Sequence, residues 1–185
     1  MSYRTHSTFG ILFALIIILI SNNLNRLLHS DFLFVLNRAE PLTLYLAVLI
    51  GALLPDIDHA NSKITSKLKP LNWITRLFGI KHRGITHSLI GLALFYMLIN
   101  KILALGWINQ IWYYGLLLGY ISHLLADMLN PTGIPLFFPN SRRFSFGVKI
   151  TTGSWQENIF FSLITLALVI VLMINHGYFT EYLPF

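Results

Sequence analysis

Apolar residues run along the chain in five blocks, each bounded by polar or turn-forming residues. From Ile159 to Ile174 there is no charge, and only Ser162 and Thr165 are polar. The block 158–175 is therefore long enough to cross a bilayer as a helix. Blocks 88–107 and 111–129 each reach about 20 residues, roughly 30 Å of helix. Asn100 and Lys101 alone interrupt the first of these near its far end. Residues 9–20 and 42–54 are intensely apolar but short. Extending the first through Leu24 to Leu28 makes it a span, whereas the second is expected to tilt, to lie half embedded or to be shielded by its neighbours. Arg4 ahead of the first block suits a signal peptide, but the block exits into Ser21, Asn22 and Asn23 with no A-x-A-like site, so it is expected to stay as an anchor. The pattern predicts an all-α fold: a polytopic membrane helical bundle with about five membrane-embedded helices, one integral-membrane domain over residues 1–185.

Composition points the same way. Apolar residues make up 55% and charged residues 11%, against about 25% charged in an ordinary soluble domain. With 185 residues, no separate soluble enzyme domain is expected beside the helical one. The formal charge of +6 could signal nucleic acid or anionic lipid. If the five blocks alternate in direction, Arg26, Arg38 and Lys101 fall on the far side and every other Lys and Arg falls on the side of the N-terminus. Basic short loops mark the cytoplasmic side, so a multi-pass protein of the bacterial inner membrane with a cytoplasmic N-terminus is expected. Nucleic acid is not an expected partner, because Trp73, Phe78 and Phe144 are the few aromatics in the basic loops. The absence of cysteine excludes disulfides, thiolate catalysis and Cys-based zinc sites.

The same alternation gathers the chemistry. His6, His59, His82, His87, His123, Asp56, Asp58, Asp127 and Glu157 all fall on the side of the N-terminus, each near a helix end, while His29 and His176 fall on the other. Convergence from five segments is how a site is assembled between helices. In Leu53-Leu54-Pro55-Asp56-Ile57-Asp58-His59, Pro55 disfavours helix at Leu54 and so places two carboxylates and an imidazole in a turn. Oxygen and nitrogen donors of this kind suit Zn²⁺ or Mn²⁺, although a solvated turn capped by Asp58 or Asn61 is the simpler alternative. In Lys81-His82-Arg83-Gly84-Ile85-Thr86-His87-Ser88, Thr86 or Ser88 can cap the third helix and leave His82 and His87 near its start. The helix N-terminus and Arg83 together suit a phosphate oxygen; interfacial His and Arg meeting headgroups is the alternative.

His123 and Asp127 are four residues apart and share a helix face, so both can reach one ion, or Asp127 can orient a ligating imidazole. His123 should lie about 10 Å from the near end of its helix, where an ionisable pair is costly without a cavity or partner. Glu157 is read as a partner of the fifth helix dipole beside Ser154 rather than as a ligand. His6 is taken as a further ligand. The Gly115 to Gly119 spacing is read as close helix packing.

The order His6, Pro55-Asp56-Ile57-Asp58-His59, His82-Arg83-Gly84 with Thr86-His87-Ser88, Gly119-Tyr120 through Ser122-His123 to Ala126-Asp127, and Pro131-Thr132-Gly133-Ile134-Pro135-Leu136 resembles the YdjM family of bacterial inner-membrane proteins over nearly the whole chain. The resemblance implies membrane location and a predicted metal-dependent hydrolase activity. More distantly, His, Asp, His and His123-x-x-x-Asp127 resemble the all-helical zinc-dependent phospholipase C and P1 nuclease group. Only Glu157 follows that helix here, so one or two ions are expected in place of a three-metal cluster.

The expected function is a membrane-bound metal-dependent hydrolase acting on a phosphoester or lipid at the cytoplasmic face, with Zn²⁺ as first choice of ion and Mn²⁺ as second. His6, Asp56, Asp58, His59, His82, His87, His123 and Asp127 form the candidate metal set. Asp58 and His87 are candidate catalytic groups, and Arg83 is expected to stabilise negative charge on the substrate. The competing function is a divalent-metal transporter or metal-sensing membrane protein, which should place ligands near the bilayer midplane in repeated halves; no internal repeat is evident.

Overall fold

A computed structural model describes residues 1–28, 35–36, 39–58 and 84–175, leaving aside the side chains of residues 22–28, 57 and 58. Among the described residues there are five α-helices: α1 (Tyr3–Leu28), α2 (Pro41–Leu53), α3 (Leu89–Ala104), α4 (Gln110–Met128) and α5 (Trp155–Asn175). They follow the five apolar blocks closely. Pro41 opens α2 and the Glu40 carboxylate accepts from Leu42 N and Thr43 N, which satisfies two unpaired donors of the first turn. Pro55 then ends the regular helix and starts a 3₁₀ turn, Pro55–Asp58. Ser88 caps α3 by accepting from Gly91 N, and Asn109 caps α4 by accepting from Trp112 N.

The expectation of about five membrane-embedded helices is corrected at one point: among the described residues, only Tyr3–Ser21 and Trp155–Asn175 are long and apolar enough to cross a bilayer. With 13 and 16 residues, α2 and α3 extend only roughly 20 and 24 Å, short of a hydrocarbon core of about 30 Å. Helix α4 has the length, 19 residues, but interrupts its apolar run with tyrosines, Ser122, His123 and Asp127. Much of the apolar character of α2 and α4 serves their contact with each other. A Cβ on Gly119 would lie 2.2 Å from the Val48 carbonyl oxygen, and one on Gly51 would lie 2.3 Å from the Leu116 carbonyl oxygen. The two backbones thus approach to a distance that only glycine permits, which is the role read from the Gly115 to Gly119 spacing.

Helix α1 packs along this pair, so that Ala14, Leu44, Val48 and Leu118 form one buried cluster away from the polar end. At the polar end Met1, Ala126 and Ile150 pack with Phe9, Leu129 and Phe160, while Tyr120, Leu124 and Ile134 pack with Leu54 and Leu92. The loop between α4 and α5 is tied down by the isolated bridge of Ile134 with Phe144 and by Leu89 N donating to Leu136 O. On the outside, α5 exposes Leu163, Leu166, Val169 and Ile170, and α3 exposes Leu94, Met97 and Leu98. Contiguous apolar faces of this kind suit lipid rather than water.

Candidate metal centre

The ends of α1, α2, α3 and α4 meet at one end of the bundle, and the ionisable side chains meet with them. Asp56 comes from the turn after α2, His87 from the 3₁₀ turn Ile85–His87 before α3, and His123 and Asp127 from the last turns of α4. One ligand atom from each of these four lies within 4.8 Å of all the others. His87, His123 and Asp127 are fully buried, whereas the Asp56 side chain is 23% exposed and forms the open corner.

Sequence-local features explain these positions. Helical spacing puts His123 directly above Asp127. The glycine contact brings α2 so close that the Ala52 carbonyl oxygen lies 2.7 Å from His123 Nδ1. A carbonyl can only accept, so Nδ1 carries the proton and the neutral ring turns its Nε2 lone pair into the cluster. His87 Nδ1 pairs with Thr86 Oγ1 at 3.0 Å, which leaves its Nε2 pointing at the same place. Tyr120 supports that turn from α4 by donating its hydroxyl to Thr86 O. The inner distances are 3.2 Å from His87 Nε2 to His123 Nε2, 3.5 Å from His87 Nε2 to both Asp56 Oδ1 and Asp127 Oδ2, and 3.6 and 3.8 Å from His123 Nε2 to the same two oxygens.

The electrostatics favour anionic carboxylates. For Asp56, burial opposes ionisation, but His87, whose Nε2 lies 3.5 Å from Oδ1, outweighs it and holds the carboxyl below its ordinary range. Two carboxylates and two inward-turned imidazoles, three of the four fully enclosed, are a donor set that could hold a divalent metal ion.

His6 adjoins the four-residue group. Its ring stacks on that of His123, with centroids 3.8 Å apart and planes 10° from parallel, and its Nε2 lies 3.3 Å from Asp127 Oδ1. The α-ammonium of Met1 donates to the same oxygen at 2.7 Å. Glu157 stays out of the cluster. Its carboxylate accepts from Ser2 N, from Thr5 Oγ1 at 2.9 Å and from Gly153 N at 2.7 Å, and so clamps the start of α1 to the start of α5. The expectation that it is no ligand fits this, but the role is a clamp more than a dipole partner. His59, His82 and Arg83 lie outside the described residues, as does the side chain of Asp58. Sequence reasoning missed Ser2, Thr5 and the Ala52 carbonyl. Gly51 facing the Gly115 to Gly119 stripe was the signal that could have located the last.

The chain matches the family described as YdjM inner membrane protein over residues 1–182. It is 42% identical over 110 residues to Inner membrane protein YdjM of Escherichia coli (strain K12), covering 56% of this chain and 53% of that protein. The protein of the same name from Shigella flexneri aligns with the same identity and coverage. The chain thus spans about half the length of these curated relatives. Uncharacterized protein YvsG of Bacillus subtilis (strain 168) is 33% identical over 129 residues, 69% of this chain and 77% of that protein. No solved structure matches the chain. The resemblance to the zinc-dependent phospholipase C and P1 nuclease group therefore rests on the order of motifs alone.

Proposed function

The chain belongs to the YdjM family of inner membrane proteins, and from that premise we propose that it is a metal-dependent hydrolase of the cytoplasmic membrane face, acting on a phosphoester, with a lipid phosphoester preferred. The observation that carries this is the spacing of the donor atoms. Zinc–ligand distances of about 2.0 to 2.2 Å put the donors of a tetrahedral site about 3.3 to 3.6 Å apart. Five of the six distances among His87, His123, Asp56 and Asp127 run from 3.2 to 3.8 Å, and all six lie within 4.8 Å. Zn²⁺ is accordingly the first choice and Mn²⁺ the second.

Three enclosed donors and one partly exposed carboxylate suit catalysis better than a purely structural site, which closes all four positions. His87, His123 and Asp127 would hold the ion, and Asp56, as the exchangeable fourth donor at the open corner, would give way to water and accept its proton. A bound divalent ion supplies a lowered water pKa and polarisation of the phosphoryl oxygen. Asp58, His59 and His82 are proposed from the sequence alone as further members of the donor pool, and Arg83 is proposed to meet negative charge on the substrate. In this account one multi-pass domain keeps its N-terminus cytoplasmic, with α2 and α3 partly sunk in the bilayer behind their outward apolar faces.

The test uses the full chain in detergent loaded with Zn²⁺ or Mn²⁺, assayed on soluble and lipid phosphoesters. Asp56→Asn is expected to keep its metal and lose turnover by about 100-fold or more, the usual scale for removing a general base. Bound metal without turnover would overturn the hydrolase assignment, and Zn²⁺ flux across liposomes would replace it with transport.

A further inference from the structure

The loop between α4 and α5, residues 129–154, is long for a connection without a helix of its own, and loops of that length that keep a fixed shape are usually functional. Its backbone is tied down at several points. Ile134 and Phe144 exchange backbone hydrogen bonds at 3.0 and 2.8 Å, and Phe146 N donates to Met128 O at 2.8 Å. Ile134 and Ile150 are buried beneath it. Other apolar side chains of the loop face outward. Phe137, Phe146 and Val148 are 51%, 54% and 42% exposed, and Trp155, which opens α5, is 67% exposed. Single exposed apolar residues are ordinary, but a fixed loop that displays several while burying others presents them to something other than water.

Charge and level identify what covers them. The loop carries Arg142, Arg143 and Lys149, all exposed, and no acid stands between Asp127 and Glu157. Bases beside exposed aromatics match the anionic headgroups of a bilayer leaflet, where rings sit at the acyl boundary and cations meet phosphate. Trp155 begins a helix long and apolar enough to cross the bilayer, so the loop joins that span at the interface. Ile150 shares a packed cluster with Phe160, which lies about 8 Å along α5 from Trp155. The end of the loop thus folds back beside the first turns of the span. We propose that the loop between α4 and α5 is a docking surface for anionic phospholipid, with Phe137, Phe138 and Phe146 entering the headgroup boundary and Arg142, Arg143 and Lys149 meeting lipid phosphates. Leu136 O accepts from Leu89 N, two residues past His87, so the docked loop holds the donor cluster close to headgroup depth. Docking of this kind requires no metal and no turnover, and so stands apart from the hydrolase reading.

The chain contains no cysteine, so Phe146→Cys in the full chain takes a single nitroxide spin label. In vesicles of phosphatidylcholine and phosphatidylglycerol in equal parts, oxygen is expected to relax the label several-fold more than a water-soluble nickel chelate does. In phosphatidylcholine alone, or with Arg142→Gln, Arg143→Gln and Lys149→Gln added, that ratio is expected to fall toward its value in water. A label fully open to the nickel chelate in the mixed vesicles overturns the docking. A label shielded from both reagents overturns it too, by placing protein, a second copy of this chain included, over the loop. Immersion that ignores both phosphatidylglycerol and the three bases overturns the anionic preference. Should the label itself disturb the loop, unlabelled wild type is compared with the triple Gln variant using spin-labelled phosphatidylglycerol. A larger motionally restricted fraction in wild type supports the docking, and equal fractions overturn it.

Discussion

An Asp127→Asn protein is expected to bind no divalent ion at concentrations that saturate wild type. The substitution is isosteric, so the packing around the end of α4 is kept while the charge is removed. Asp127 also faces His6, His87 and His123 together, at 3.3, 3.5 and 3.8 Å. Loss of an outer partner of a metal ligand typically weakens affinity 10- to 100-fold, so loss of a buried anionic ligand should exceed about 100-fold. Equilibrium dialysis against Zn²⁺ measures this directly, with retained helical circular dichroism as the control for folding. Asp56→Asn should bind far more of the ion, because its side chain sits at the exposed corner. Equal affinities for the two variants would contradict the division into enclosed ligands and an open corner.

The second large effect is expected away from any ligand. In Gly119→Ala the new methyl group would meet the Val48 carbonyl oxygen at 2.2 Å, Ala52 N at 2.6 Å and the Gly51 carbonyl carbon at 2.8 Å. All three are backbone atoms, which cannot swing aside as a flexible side chain can. Helices α2 and α4 must move apart, at a cost of about 1 to 3 kcal/mol for overpacking. The same movement withdraws the Ala52 carbonyl from His123 Nδ1, now 2.7 Å away, and releases the contact that fixes the tautomer of the ring. Thermal unfolding in detergent should therefore fall, and Zn²⁺ affinity should fall with it. A Gly119→Ala protein that melts and binds as wild type does would contradict the close helix pair.

Much of the site is legible in the sequence because helical periodicity carries local geometry. The four-residue spacing of His123 and Asp127, the proline after α2 and the serine before α3 each fix a position relative to the backbone. Alternation of five apolar blocks then carries those positions to one end of the bundle. Membrane crossing is less legible. A residue such as Leu44 in α2 reads as apolar whether it faces lipid or a neighbouring helix, and it is buried against protein. The 13 residues of α2 are thus apolar in part because α4 and α1 cover them. The role of Glu157 was hidden for a different reason. Its partners Ser2 and Thr5 lie more than 150 residues away in sequence, and no local pattern links an acid at the start of α5 to a backbone N–H and a hydroxyl at the start of α1.

The central claim is that imidazoles and carboxylates from separate helices ligate a divalent ion at one end of the bundle. X-ray absorption at the zinc edge on the full chain, purified and loaded with Zn²⁺, tests it most directly. The account predicts imidazole nitrogens together with carboxylate oxygens at about 2.0 to 2.2 Å. A shell of oxygens alone, without imidazole, would contradict it.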